Sequence, residues 1–177
     1  MGASVQQKNF GDGLATTPDG VLSLWSSGVG NQNLLVAQVR DFIIQSGADV
    51  ILTFDPRHGT TCHPDHRAAG TLALLSAQAA GISMDSIFMV ESIIYGVAGS
   101  TTTGFRPAVP SDAKTQTYSI DERWDNLIHL MSSLYKSQYS VAEVSALQSV
   151  SMENRRLSLL NAKDAVENDT KYSSLCP

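Results

Sequence analysis

Cysteine, positive charge and long apolar runs are all scarce in this chain, and each shortage removes a class of protein. Cysteine occurs twice in 177 residues, as Cys62 and Cys176. Two thiols so far apart cannot build the disulfide framework of a small secreted scaffold, and they are compatible with a reducing compartment. Lys and Arg number 12 against 17 Asp and Glu, a net charge of −5. With no basic surplus to neutralise phosphates, the chain as a whole does not read as a nucleic-acid binder. No stretch approaches the ~18 apolar residues of a membrane span, and residues 1–8 lack the apolar core of a secretory signal. Met1-Gly2 opens like a myristoylation signal, but Gln6 stands where Ser or Thr is wanted. The Asn168-Asp169-Thr170 sequon is too common a pattern to decide localisation. A cytoplasmic protein without a membrane span is the expectation.

What is present reads as an α/β domain. Hydrophobic residues make up 42% of the chain, enough for a core, and the length predicts one domain over residues 1–167 with a tail at 168–177. Turn signals at Gly11-Asp12-Gly13 and Pro18-Asp19-Gly20 predict that residues 1–30 are mostly loop. Leu35, Val39, Phe42 and Ile43 then fall on one helical stripe, with Asn31 or Asn33 as cap and Gly47 at its end. Residues 50–54 form an almost continuous apolar run rich in branched side chains, as in a parallel strand covered on both faces. A helix is expected from Pro64 to about Ala80, with Ala69, Leu72, Leu75 and Ala79 as its buried stripe, and Gly81 ending it. Residues 87–90 read as a second buried strand, adjacent and parallel to the first. Residues 95–119 turn to Gly, Ser, Thr and Pro and are expected to be loop. A regular stripe of Trp124, Leu127, Ile128, Met131, Leu134 and Tyr135 predicts a helix, and one or two more are expected over 141–165.

The residues that carry chemistry are concentrated just after the first strand. Three of the four histidines, His58, His63 and His66, lie within nine residues. In open α/β sheets ligands bind beyond the carboxyl ends of the strands, where this segment begins. Pro64 suits a first helical position, which makes His63 the cap and His66 a first-turn residue beside Asp65. Imidazole is the commonest side-chain ligand for zinc, and a nearby carboxylate can fix its tautomer. An isolated histidine pair is more often a solvated turn; the position after a buried strand favours a site. Cys62 and His58 rank lower as ligands, and His129 is expected to be solvated.

With the preceding strand and Asp55-Pro56, the run His63-Pro64-Asp65-His66-Arg67-Ala68-Ala69-Gly70 resembles the second motif of the LmbE-like (PIG-L) family of zinc-dependent N-acetylglucosaminyl deacetylases. Asn9-Phe10-Gly11-Asp12-Gly13-Leu14 is similar to the family's segment ahead of the preceding helix, and Tyr135-Lys136-Ser137-Gln138 to its late His-x-Ser-Gln signature. The resemblance covers residues 9–140. It implies a Rossmann-like three-layer fold with a mainly parallel sheet. It also implies zinc-dependent hydrolysis of an N-acetylated amino sugar to a free amine and acetate. Carried over, His66 would be the zinc ligand, His63 the group that stabilises the oxyanion, and Asp65 the carboxylate that tunes the histidine.

The chain departs from that family in two places. Tyr135 stands where the late signature has His, and no His-Pro-Asp-Asp-Glu string supplies the two further zinc ligands and the general base. Thr17-Pro18-Asp19-Gly20 shares only Pro-Asp and follows the segment that the motif should precede. The chain therefore reads as the C-terminal portion of a deacetylase, its front strands missing and its zinc site incomplete. Catalytic zinc keeps three protein ligands and a water. On that reading the chain alone binds zinc poorly, turns over no acetamide, and leaves a sheet edge or an apolar helix face uncovered. Two other readings compete: a non-catalytic sugar-binding or assembly domain of the same fold, and a general metal-binding domain using His58, Cys62, His63 and His66. No sequence feature specifies an oligomeric state.

Overall fold

The computed structural model describes residues 6–11, 13, 15–90, 115–119 and 156–163. The chain divides into two compact units, Met1–Lys114 with Leu160–Pro177, and Thr115–Leu159. The first holds α1 (Pro18–Val29), α2 (Gln32–Ser46), β1 (Ile51–Phe54), the single turn α3 (Gly59–Cys62), α4 (Pro64–Ala79), a 3-10 turn (Met84–Ser86) and β2 (Ile87–Val90).

Helix α1 overturns the expectation of loop over residues 1–30. Pro18-Asp19-Gly20 starts a helix instead of closing a turn, because Thr17 caps it: its side-chain oxygen accepts from the Gly20 N–H at 3.2 Å. Val21 and Leu22 are buried, and Trp25 and Val29 pack alongside them, which supplies the apolar face. Helix α2 forms where expected. Asn31 Oδ1 accepts from the Leu34 N–H at 3.0 Å, and Gly47 ends the helix in the left-handed conformation. Leu35 and Ile43 are buried as predicted, whereas Phe42 is exposed, so the inward stripe is narrower than the sequence pattern.

Helix α4 is the centre of the unit, and its buried face differs from the predicted one. Leu72 is buried, but Leu75 and Ala79 are exposed, and Ala68, Leu74, Ser76 and Ala77 are buried instead. Two neighbours explain this. Ala68 and Leu72 meet Val21, Leu22 and Leu35 of α1 and α2, while Leu74 and Ala77 meet Ile43, Ile87 and Met89. A helix packed on two sides buries more than one stripe. It ends at Gly81, where Gly81 N–H donates to the Gln78 carbonyl and Ile82 N–H to the Ala77 carbonyl, both at 3.0 Å. That is a Schellman closure, with Ile82 packed back on the core.

The unit is a mixture of helices and a small parallel sheet. β1 and β2 pair parallel, Ile51 opposite Ile87 and Phe54 opposite Val90. Ile87 and Met89 are buried. β1 is not covered on both faces, in contrast to the sequence expectation: Leu52 is 58% exposed, and Val50 just ahead of it 60%. Gly70 of α4 brings helix and strand close, since a Cβ there would lie 2.5 Å from the Phe54 carbonyl oxygen.

Two further strands correct the sequence expectations. β3 (Thr115–Ser119), in the second unit, falls in the segment expected to be loop; Thr115, Thr117 and Tyr118 are strand-favouring residues. β4 (Arg156–Asn161) falls where helix was expected. Its leucines favour helix in isolation, and tertiary pairing overrides that preference. The end of β4 belongs to the first unit: Asn161 donates from Nδ2 to the Asp85 carbonyl at 2.8 Å, and Ala162 is buried against Ile87. The predicted helix over Trp124 to Tyr135, the remainder of the 141–165 expectation, and the 168–177 tail lie outside the described residues. Among the described residues no helix is long and apolar enough to cross a membrane.

Candidate functional site

Strand β1 ends in an acidic residue that the chain folds back upon. The Asp55 carbonyl accepts from the His58 N–H at 3.3 Å and the Gly59 N–H at 2.7 Å. Its carboxylate accepts from the Arg57 N–H at 2.9 Å and from Arg57 Nε and Nη2 at 2.9 and 3.0 Å. His58 Nδ1 lies 3.1 Å from Oδ2. Asp55 and His58 are only 4% and 1% exposed, so this is a buried charged hub. Burial alone would raise the Asp55 pKa; the hydrogen bonds from His58 and Arg57 and the positive charge of Arg57 outweigh it and lower it to about 2.

Gly59 follows with φ +53°, and the space a Cβ would need is filled by Arg67 and by His66 Cβ at 2.9 Å. Only glycine suits both the dihedral and the contact. The turn is thus seated on the first turn of α4, and two bonds hold it there: His66 Nδ1 to the Gly59 carbonyl at 2.9 Å and Arg67 Nε to the Pro56 carbonyl at 3.3 Å.

The three residues singled out from the sequence lie together at the α4 N-terminus. His63 caps the helix and is exposed, with its Nδ1 accepting from the Asp65 N–H at 3.3 Å. The His63 and His66 ring centroids are 5.0 Å apart, and the His66 ring stacks on Phe54 at 4.5 Å and 9°. Asp65 is buried, and its Oδ2 accepts from the Gly13 N–H at 2.8 Å. That bond brings Gly13 to the start of α4. Two more ties hold Phe10 and Gly11 to α1: Trp25 Nε1 donates to the Gly11 carbonyl at 3.0 Å, and the Phe10 and Trp25 rings lie 6.1 Å apart.

These partners assign opposite tautomers to the neutral rings. A carbonyl oxygen can only accept, so His66 carries its proton on Nδ1 and its lone pair on Nε2. His63 accepts at Nδ1, so its proton is on Nε2. The two rings therefore differ at Nε2, which is unprotonated in His66 and protonated in His63. The first suits a metal ion, the second a developing oxyanion.

The other sequence candidates are placed differently. His58 is in the buried hub with Asp55. Cys62, at φ +61°, is disulfide-bonded and offers no thiolate. The sequence holds one other cysteine, Cys176, outside the described residues. Among the described residues no group of three or more His, Cys, Asp or Glu could hold a metal ion. Sequence reasoning counted Asp55, Arg57 and Gly59 in the segment that carries the chemistry but gave them no role. Their signal was an acceptor followed at two and three residues by strong donors, Asp55-x-Arg57-His58, then glycine. Compared with known proteins, the chain matches no family model, and no curated protein or solved structure is significantly similar to it.

Proposed function

We propose that the α4 N-terminus is the remnant or partner half of an amide-hydrolysing site of the LmbE-like type, acting on the acetamide of an N-acetylated amino sugar. The observation that carries the reading is the His63–His66 pair with opposite tautomers beyond the end of a parallel strand. The reaction adds water across the acetamide C–N bond: a C–O bond forms, the C–N bond breaks, a proton passes to the amine, and acetate leaves. His63 would act by donating from Nε2 to the carbonyl oxygen as it gains negative charge. His66 would be the single zinc ligand that this chain supplies. One imidazole does not make the three-ligand site of a catalytic zinc, so no step is routed through the metal. Asp65 supports the pair by holding Gly13 against the helix and by presenting its N–H to His63. The fold that accompanies this reading is a Rossmann-like three-layer one, and the parallel pairing of β1 with β2 between helices supports it.

The chain by itself is proposed to bind zinc weakly and to release no acetate, leaving amino-sugar recognition as its own testable property. The experiment follows the side-chain signals of His63 and His66 by NMR while an N-acetylglucosamine derivative is added, alongside zinc content and acetate release. Expected are shifts at both rings that H63A removes, substoichiometric zinc, and no turnover. No response of either ring to the sugar overturns the substrate reading. Stoichiometric zinc with turnover overturns the weak-metal reading.

A further inference from the structure

We infer that Asp55 is a positioning residue for His66, acting at a distance through the turn it clamps. The chain of contacts is continuous. The Asp55 carboxylate holds Arg57 by its backbone N–H and its guanidinium, and holds His58 by Nδ1. The Asp55 carbonyl holds the N–H groups of His58 and Gly59. Those bonds fix the path of residues 55–59 and with it the direction of the Gly59 carbonyl, which accepts from His66 Nδ1. Because glycine is the most permissive backbone residue, the Gly59 carbonyl would swing if the residues ahead of it were released. A second constraint acts on the plane of the same ring, which is stacked on Phe54, the residue immediately before Asp55.

The device thus sets two properties of His66 from one point at the end of β1: which nitrogen carries the proton, and which way the ring faces. This use of a buried carboxylate is economical in position, because Asp55 is reached by donors two and three residues on, while the ring it controls lies eleven residues on. The hub also explains why a buried ionised group is kept next to an exposed and a half-buried histidine. Buried charge networks contribute little net stability against apolar replacements, but they hold one geometry. The functional importance of the device rests on the reading of His66 as a ligand; the tautomer control does not.

The test is nitrogen-15 NMR of the histidine side chains in the full chain, at a pH well above the ~6.5 of a free imidazole. In the unaltered protein His66 is expected as the Nδ1–H tautomer and His63 as the Nε2–H tautomer. Finding His66 protonated at Nε2 overturns the inference without any variant. In D55N the His66 signals are expected to move to a mixture of tautomers, with the β1–β2 amide pattern retained. An unchanged His66 tautomer in folded D55N overturns it. Should D55N fail to fold, R57Q removes the guanidinium bonds and keeps the backbone bond to Asp55. Its expected result is the same loss of a single tautomer, and an unchanged ring again overturns the inference. Zinc titration separates the two layers: if the tautomer shifts in the variants while zinc leaves His66 unmoved in every protein, positioning stands and the ligand reading falls.

Discussion

Twelve residues hold two regions built on opposite principles. At one end, Asp55, Arg57 and His58 are buried and tied together by short bonds that saturate the carboxylate. At the other, His63 is exposed and His66 half-buried, with a few bonds that leave each ring one edge directed by a backbone partner. The buried end has geometry and no access, whereas the exposed end has access and borrows its geometry. The three histidines lie within nine residues of sequence, yet His58 is buried in the hub while His63 and His66 are not.

Removing the Asp55 carboxylate gives the sharpest contrast. D55A leaves a buried guanidinium and imidazole without their acceptor and is expected to cost ~3–5 kcal/mol, measured by urea unfolding; a loss below ~1 kcal/mol would show the hub to be solvated. Acid tests the same group without mutation. Its pKa is depressed from an ordinary 3.8 to about 2. Its contribution is therefore fully present above pH ~4 and lost as pH falls through ~2, some 2–3 kcal/mol in all. The acid limb of the stability curve should lose that component in D55N.

Gly70 joins the two regions by letting α4 lie against the end of β1. G70A gains helix propensity of ~1 kcal/mol but drives a Cβ into the Phe54 carbonyl. The net expectation is destabilisation by ~1–3 kcal/mol, seen as a lower urea midpoint; a raised midpoint would mean the strand can move away. The smallest effect belongs to His63. H63A removes a cap acceptor at the α4 start and should cost less than ~1 kcal/mol, while abolishing the response of the site to an amino sugar. A loss as large as that of D55A would erase the distinction between the two ends.

The sequence made local punctuation easier to read than long-range packing. Asn31, Gly47, His63 and Pro64 all act at helix ends as their chemistry predicts, since a cap depends on the residue and its near neighbours. β1 and β2 were legible as strands from their branched apolar runs. The α1 helix was not, because Pro18-Asp19-Gly20 serves equally well as a turn, and Thr17 with the Val21–Leu22 face decides between them. The α4 face was misread because periodicity assumes one packed side, and this helix has two. β4 was misread because leucine's preference is overruled by the partner it meets. The His63–His66 pair could be picked out from its spacing, but the bonds of the Asp55 hub could not, since a buried carboxylate at a strand end looks like an ordinary stop signal.

The bond between Asp65 and the Gly13 N–H joins residues 52 positions apart. Closing a loop of that length costs about 3–4 kcal/mol of chain entropy, which a single hydrogen bond cannot supply. The contact can therefore form only after α1, α2 and β1 have folded between its ends, and it should break before they do. Amide exchange at Gly13 is expected to be much faster than at Leu35 in α2, and equal protection at both would contradict this order. The seating of Gly13 on the start of α4 is thereby timed: it is expected to assemble after α1, α2 and β1 during folding and to open before they do.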